Sequence, residues 1–335
     1  MSVTYLSMFF SCNSYAKCNL FLTVKGLEPN GYHNIETLMA YLDICDRISI
    51  VAKRYGAGLN IDITGKFAHK LTNQSNWARN NIITKTFKVI SQKYGVPVDF
   101  DVKLEKNIPI ASGLGGGSSN AACIINFCNS FFGLEMTNED KIDIAKIIGA
   151  DVAFFTQDSA AICSGIGEII QPINTSEIIS DYSVLVLDPI AKISTQNVYS
   201  AYDNLNLSHE ERDLYNLINN HISINVQTMS KLNKEVDIIA MSSCGMNAIT
   251  DFSPQIMQST KHIIDNIIND SESVVFAAIT GAGSAAIIVF LDPAESAYQL
   301  TKATLKYPGI YAKQTKILPK VSQTFQQIGR YVAAA

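Results

Sequence analysis

Residues 14–25, SYAKCNLFLTVK, alternate between apolar and polar side chains with the period of two that is typical of a β-strand. One face of this strand is apolar and carries Ala16, Cys18, Leu20, Leu22 and Val24. The opposite face carries Lys17, Asn19, Phe21 and Thr23. The pattern therefore predicts that Lys17 and Asn19 point toward the same site.

The rest of the chain mixes strand and helix patterns without a regular repeat. Apolar and polar positions predict a strand over 98–104, a bent pair of strands over 35–52, and a strand–GAG–strand unit over 274–291. Helical spacing predicts helices over 80–93, 118–132, 138–148 and 293–306, and a helical region around 208–268. Gly133 and Gly149 stand where glycines commonly end a helix. This irregular order favours the α+β class.

Length, composition and charge limit the kind of protein. The chain has 335 residues, of which 47% are hydrophobic and 17% are charged, and a soluble protein with two domains or one bilobal unit is expected. We expect the domains at 1–162 and 163–335, joined by a short connection because no linker composition separates them. The net charge of −4, without any basic run, disfavours nucleic-acid and anionic-membrane partners.

The cysteines and the N-terminal residues favour a reduced, cytoplasmic location. Seven cysteines are scattered without a CxxC pair, which argues against a disulfide framework and a zinc site. The first residues, MSVTYLSMFFSCNSYAK, have neither a basic region nor a sustained apolar region, so no signal peptide is expected. No apolar stretch is long enough to span a bilayer, and the histidines are not clustered as metal ligands.

The segment 108–122, IPIASGLGGGSSNAA, brings several glycines directly before a predicted helix. Glycines let backbone N–H groups approach a ligand closely, and a helix N-terminus adds unpaired donors and partial positive charge. Both features favour phosphate binding over a merely flexible turn. The order of residues fits neither the P-loop nor the dinucleotide-binding pattern. The predicted phosphate cradle consists of Pro109, Ile110, Ala111, Ser112, Gly113, Leu114, Gly115, Gly116, Gly117, Ser118 and Ser119.

Several polar side chains near the predicted strands and helices are candidates for phosphate binding, metal binding or proton transfer. Ser118 and Ser119 could cap the helix, contact phosphate oxygens or hold Mg²⁺. Asp151, in the segment GADV, follows a predicted helix end and is a candidate general base, with a simple helix N-cap as the alternative. Lys17 is either a site residue or an ordinary solvated lysine, and its apolar surroundings along the strand favour the site.

Several motifs together resemble the GHMP kinases, a family named after galactose, homoserine, mevalonate and phosphomevalonate kinases. IPIASGLGGGSSNAA is similar to the central motif of that family. The chain further resembles one branch of the family, whose acceptor is a cytidine-diphosphate-linked polyol. The segments that carry this resemblance are AKCNLFLTVKGLEPNGYHNIETL, GADVAFF, ISTQNVYSAYD and TGAGSAAIIVF. The resemblance implies a two-lobed α+β fold, with the active site in a cleft between an N-terminal ATP-binding lobe and a C-terminal substrate-binding lobe.

The same resemblance implies roles for individual residues near the transferred phosphate. Lys17 and Asp151 would flank the acceptor hydroxyl, with Lys17 keeping Asp151 ionised. Asn19 would bind the hydroxyl or the charged pair. Asn81 and Lys106 would lie near the adenine and ribose of ATP, although a helix-start asparagine and a strand-end lysine would look the same. ATP and Mg²⁺ are the implied cofactors.

The resemblance also implies that residues from distant parts of the chain bind the acceptor. They are Tyr32 and His33 for cytosine, Tyr199 for the opposite face of the base, and Thr195 for the diphosphate or polyol. Gly281 and Gly283 would back the acceptor, or simply form a turn between strands.

The motifs depart from the family in places, and two other functions stay open. Ala153 replaces a proline that is common in the family, and Ile110–Ser112 are less rich in glycine than the usual lead-in. The first alternative is another kinase of this family, of the homoserine or mevalonate type, and the aromatic residues argue against it. The second is a catalytically silent nucleotide sensor, and the presence of both Lys17 and Asp151 argues against that.

Overall fold

Two long alternating segments pair as an antiparallel hairpin at the start of the chain. They are strand β1 (Tyr5–Leu27) and strand β2 (His33–Ala52). The alternation over 14–25 is confirmed, and the strand begins earlier than expected. The expected pair of strands over 35–52 is wrong, because the bend is only a register shift within β2, where Ala16 pairs with Leu42 and Tyr15 with Cys45.

The computed structural model describes residues 5–29, 31–72, 81–173, 182–190, 194–204 and 254–333. The further strands are β3 (Asn60–Thr64), β4 (Phe100–Glu105), β5 (Ala161–Gly165), β6 (Ile169–Pro172), β7 (Ser183–Asp188), β8 (Val274–Ile279), β9 (Ala286–Phe290), β10 (Tyr311–Thr315), β11 (Ile317–Leu318) and β12 (Gln326–Ala333). The helices are α1 (His69–Thr72), α2 (Ile82–Tyr94), α3 (Gly116–Phe132), α4 (Asn138–Ile148), α5 (Thr195–Asp203), α6 (Pro254–Asp270) and α7 (Pro293–Lys306).

Most predicted helices are confirmed, and their ends have the expected chemistry. Gly133 ends α3 with a φ of 60°, and its N–H donates to Asn129 O, as is typical of a glycine at this position. Gly149 follows α4 and its N–H donates to Ala145 O. The predicted helical region around 208–268 is confirmed for α6, whereas residues 205–253 lie outside the described residues.

The described strands form two sheets. The first has the order β12-β1-β2-β4-β3, with β11 and β5 also paired to β2 and β6 paired to β5. The second is antiparallel with the order β10-β7-β9-β8. Helices and strands are thus not in a regular alternation along either sheet, and the α+β class is confirmed.

Three buried clusters join these layers. The first packs α2, α3 and α4 on the first sheet, through side chains such as Phe87, Ile124, Ile144 and Phe100. The second lies between the two sheets, where Leu20 and Leu38 meet Val186 and Ile287. The third packs the second sheet on α5, α6 and α7, through Leu185, Val198, Ile263 and Ala303. Such burial of apolar area is the main source of stability.

Strand pairing crosses the expected boundary between residues 162 and 163. Strand β5 runs through residues 162 and 163, and β11 and β12 return from the C-terminal part to pair with β2 and β1. The division into 1–162 and 163–335 stays a prediction. In the part of the chain that the structure describes, no helix has the length and apolar character needed to cross a membrane.

Candidate active site

The glycine loop leads from β4 into the N-terminus of α3. Gly113 and Gly115 have φ angles of 81° and 69°, which side chains with a Cβ rarely adopt. Helix α3 begins at Gly116 with Gly115 as its N-cap, and no side chain caps it. Its first N–H groups therefore remain available to an anion. Of the three alternatives for Ser118 and Ser119, helix capping is wrong, because the helix begins before both.

Gly113 lies where the loop touches a second glycine-containing turn. A Cβ at this position would be 2.0 Å from Thr280 O, which is backbone and cannot move aside cheaply. Gly113→Ala is therefore expected to lower the free energy of unfolding by about 2–4 kcal/mol through overpacking and left-handed backbone strain. Urea denaturation followed by circular dichroism measures the change.

Gly117→Ala, in the first turn of α3, is the matched control. A Cβ there has only Ile82 Cγ2 within reach, at 4.0 Å, so the stability should change by less than about 0.5 kcal/mol. Equal stability of the two variants would show that the close approach of Gly113 to Thr280 does not constrain the loop.

A fully buried carboxylate, Asp46, holds both ends of the loop. Asp46 Oδ1 accepts hydrogen bonds from the N–H groups of Asn107 and Ile108, at 2.7 and 2.8 Å. Asp46 Oδ2 accepts from Lys106 Nζ and, at 3.0 Å, from Asn120 Nδ2 on α3. The entry to the loop and the helix that follows it are thus tied to one side chain. A buried charge of this kind is stable only when it is paired and hydrogen-bonded.

Lys106 and Asn81 both make structural contacts within the protein. Lys106 is buried in the ion pair with Asp46, and its Nζ would lie 2.8 Å from a Cβ at Gly116, so it supports the loop from beneath. Asn81 caps α2 by accepting a hydrogen bond from Ile83 N. Contact of either residue with adenine or ribose stays a prediction.

Ser119 belongs to the same buried network. Its hydroxyl accepts a hydrogen bond of 2.8 Å from Ser14 Oγ, which itself accepts one from Asn120 Nδ2. Ser119 is completely buried, whereas Ser118 is partly exposed. Of the two serines, only Ser118 has a side chain that solvent reaches, and its contact with a phosphate or a metal ion stays a prediction.

Lys17 and Asp151 form the charged pair of the site. Lys17 Nζ lies 3.7 Å from Asp151 Oδ2, and Lys17 is buried while 38% of the Asp151 side chain is exposed. Lys17 Nζ also donates a hydrogen bond of 2.5 Å to Asn19 Oδ1, which confirms that these side chains share a face. Asp151 lies in a 3₁₀ turn, Ala150–Val152, that has no side-chain cap, so the N-cap alternative is wrong.

The turn at residues 280–283, called here the second glycine turn, lies against the Lys17–Asp151 pair. Asn19 N donates to Thr280 Oγ1 at 2.9 Å, and Asn19 Nδ2 donates to Thr37 Oγ1 at 2.7 Å. A Cβ at Gly281 would be 3.3 Å from both Lys17 Nζ and Asn19 Oδ1. Ala285 N donates to Ser112 O. The turn and the first glycine loop are therefore directly hydrogen-bonded and enclose the lysine.

Two cysteines close to the pair remain neutral. Burial raises the pKa of Cys18 to about 12, against the opposing effect of the adjacent Lys17 charge. Burial, and secondarily the charge of Asp151, raises the pKa of Cys163 further above the ordinary thiol value. Neither thiol is a thiolate at neutral pH. Of these three groups, Asp151 supplies the negative charge beside Lys17.

The other end of the cleft is aromatic. The rings of His33 and Tyr199 are stacked with centroids 4.6 Å apart and an interplanar angle of 23°. Tyr32 is 59% exposed, and Thr195 is exposed at the start of α5. Burial raises the pKa of Tyr199, so its hydroxyl stays protonated. One face of the Tyr199 ring is therefore covered by His33. A base held between Tyr32 and Tyr199 stays a prediction.

One cleft of about 780 Å³ brings together residues predicted from distant motifs. Its lining includes Lys17, Asn19, Tyr32, His33, Ala111, Gly113, Asp151, Thr195, Tyr199, Gly281 and Gly283. Sequence reasoning missed Asp46 and Asp203, which bonds His33. For Asp46 a signal existed, because it falls on the same alternation as the inward-facing Ile44 and Ile48. For Asp203 there was no local signal.

The described residues offer limited means of binding a metal ion. Within them, no group of three or more His, Cys, Asp or Glu side chains is placed to hold one. Mg²⁺ is commonly bound by one or two carboxylates together with substrate phosphates. Asp151, a partly exposed carboxylate of the cleft, is compatible with that mode of binding, whereas the described residues form no cage of protein ligands alone.

Comparison with known proteins supports the resemblance drawn from the motifs. The family model described as "GHMP kinases N terminal domain" matches residues 81–165. A 4-diphosphocytidyl-2-C-methyl-D-erythritol kinase from Francisella tularensis is 33% identical over 194 residues, which are 57% of this chain and 65% of that relative. The kinase of the same name from Aliivibrio salmonicida is 36% identical over 188 residues, or 56% of this chain and 60% of the relative. The chain thus matches less than two thirds of the length of these relatives.

Solved structures confirm the fold over a longer part of the chain. A 4-(cytidine 5'-diphospho)-2C-methyl-D-erythritol kinase has a TM-score of 0.65 and 20% identity, covering 91% of this chain and 99% of its own. The homoserine kinase from Cytophaga hutchinsonii has a TM-score of 0.67 and 11% identity, covering 98% and 97%. The chain therefore has the fold of the GHMP kinases, and its residues 81–165 match the model of their N-terminal domain.

Proposed function

We propose that this protein is an ATP-dependent kinase that phosphorylates the 2-hydroxyl of 4-diphosphocytidyl-2-C-methyl-D-erythritol, a step in non-mevalonate isoprenoid precursor biosynthesis. The observation that carries the proposal is the cleft in which the Lys17–Asp151 pair lies between a glycine loop and the His33–Tyr199 stack. The names of the curated relatives support this substrate.

The glycine loop would hold the phosphates of ATP. The uncapped start of α3 offers backbone N–H donors together with the positive end of the helix dipole. Asp46 fixes the loop in this conformation without reaching the phosphates itself, because it is fully buried. Binding and orientation of the triphosphate are the largest part of what a protein contributes to phosphoryl transfer.

Asp151 would accept the proton of the acceptor hydroxyl. It is the more exposed member of the charged pair, so an acceptor in the cleft can reach it. Lys17, paired with Asp151 and held by Asn19, would stabilise charge that develops on the transferred group. Mg²⁺, bound with the ATP phosphates and supported by Asp151 or Ser118, would neutralise phosphate charge.

The aromatic end would bind the cytidine part of the acceptor. Stacking on an aromatic ring contributes about 1–3 kcal/mol per base. The exposed Tyr32 and the His33–Tyr199 stack are the groups of the cleft that offer such surfaces. A small acceptor without a base would leave this end of the cleft unused, which favours the nucleotide-linked polyol over homoserine or mevalonate.

The decisive test measures ATP consumption by the full chain with Mg²⁺ and 4-diphosphocytidyl-2-C-methyl-D-erythritol. Homoserine and mevalonate serve as parallel acceptors, and phosphorylation at the 2-hydroxyl is confirmed by phosphorus NMR of the product. We expect turnover with the cytidyl acceptor alone. Turnover with another acceptor would support the kinase activity but contradict the proposed substrate. Tight ATP binding without turnover on any acceptor would support a nucleotide sensor.

A further inference from the structure

A carboxylate outside the charged pair contacts the aromatic end of the cleft. His33 Nε2 lies 2.7 Å from Asp203 Oδ1. His33 is the first residue of β2 and Asp203 is the last residue of α5, so the contact joins the two walls of the cleft. The His33 side chain is only 9% exposed, whereas that of Asp203 is 48% exposed.

The ring of His33 is held in one orientation. One face stacks on Tyr199, and the ring of Tyr202 meets it nearly at right angles with a centroid distance of 6.2 Å. Tyr199 and Tyr202 both belong to α5, as does Asp203. A rotation of His33 that exchanged its two nitrogens would break the hydrogen bond to Asp203, so the helix fixes which nitrogen faces the carboxylate.

This orientation determines the hydrogen-bonding character of the second nitrogen. An ionised carboxylate only accepts hydrogen bonds, so the proton of a neutral His33 ring lies on Nε2. Nδ1 then carries a lone pair and acts as an acceptor. No described residue forms a hydrogen bond with Nδ1. Among the described residues, this nitrogen therefore has no hydrogen-bond partner and can accept a hydrogen bond from a ligand in the cleft.

We propose that Asp203 is a positioning residue that sets the base specificity of the cleft by fixing the tautomer of His33. The inference rests on the proposed function. Cytosine presents an exocyclic amino donor where uracil presents a carbonyl acceptor. An acceptor at Nδ1 pairs with the amino group of cytosine and faces the uracil oxygen without a proton between them. Asp203 therefore favours cytidine over uridine without touching the base.

The test is isothermal titration of the full chain with cytidine 5'-diphosphate and uridine 5'-diphosphate. In Asp203→Ala the ring is free to place its proton on Nδ1, so the ratio of the two affinities should fall by at least about tenfold, as expected for one hydrogen bond of ordinary strength. The ratio is the readout because loss of the Asp203 charge affects both diphosphates equally.

Two further variants separate positioning from general damage. Asp203→Asn keeps a polar contact, but its amide can either accept from Nε2 or donate to it, so the preference should lie between those of the wild type and Asp203→Ala. Asp265→Ala removes an exposed carboxylate of α6 that does not line the cleft and should change neither affinity. The ATP affinity should stay unchanged in all three variants. An unchanged ratio in Asp203→Ala would overturn the role of Asp203.

Nitrogen-15 NMR of the histidine rings tests the tautomer directly. The His33 signals, assigned by their loss in His33→Gln, should show Nε2 protonated in the wild-type protein and a mixture of tautomers in Asp203→Ala. A proton on Nδ1 in the wild-type protein would overturn the inference. A wild-type protein that binds both diphosphates equally would instead contradict the proposed cytidyl substrate, and the two failures are therefore distinguishable.

Discussion

Asp151→Asn is expected to lower the turnover number of the proposed phosphoryl transfer by about 10²–10⁴-fold, the usual contribution of a positioned general base. An amide nitrogen cannot accept the proton of the acceptor hydroxyl, and Lys17 loses its charged partner at 3.7 Å. The fold should tolerate the change, because Asp151 is partly exposed and Lys17 keeps its hydrogen bond to Asn19. Steady-state kinetics with the cytidyl acceptor measure the effect.

The expected signature is a fall in turnover with little change in the Michaelis constants of either substrate, because the lost interaction acts mainly in the transition state. Asp143→Asn is the matched control, since Asp143 is an exposed carboxylate of α4 whose ion pair with Lys146 lies on the same helix. It should retain full activity. Wild-type turnover in Asp151→Asn would mean that another group accepts the proton.

Asp46→Ala is expected to lower the free energy of unfolding by about 3–5 kcal/mol, the usual cost of removing one partner of a buried ion pair. Lys106 is almost completely buried and would keep an uncompensated charge. The N–H groups of Asn107 and Ile108 would also lose their acceptor. ATP affinity should fall as well, because the loop then lacks its anchor at both ends. Urea denaturation and calorimetric titration with ATP measure the two effects.

Two variants show whether the charge or the hydrogen bonds of Asp46 matter more. Asp46→Asn keeps an oxygen for the two N–H groups but removes the charge that pairs with Lys106, so it should be intermediate in stability. Asp62→Ala removes an exposed carboxylate of the neighbouring β3 and should stay within about 0.5 kcal/mol of the wild type. An Asp46→Ala protein as stable as this control would contradict the anchoring role.

Local sequence patterns predicted which side chains share a face in the cleft and where a helix begins with free N–H donors. Alternation along β1 placed Lys17 and Asn19 on one face, and their hydrogen bond confirms it. The glycines before α3 marked a helix start with free donors, although the helix begins earlier than Ser118. These features depend on neighbours a few residues apart, where strand and helix periods determine which side chains share a face.

Contacts between distant segments could not be predicted in this way. Asp46 meets Lys106 across two strands of the sheet, and His33 meets Asp203 across the cleft. Their identities depend on how elements pack, which a period of two or 3.6 residues does not encode. The resemblance places Lys106 near adenine and ribose. Its buried ion pair with Asp46 depends on the pairing of β2 with β4, which no local pattern encodes.

The pairing of β12 with β1 also has a consequence for protein synthesis. Residues Tyr5 to Met8 have their partners in Arg330 to Ala333, and not in β2, whose pairing with β1 begins at Phe9. On the ribosome, the start of the strand that carries Lys17 must therefore wait for nearly all described residues to be translated. Until then this edge exposes unpaired backbone groups, where nascent chains can associate. Translation speed and chaperone supply would then affect the yield of folded protein without altering the cleft itself.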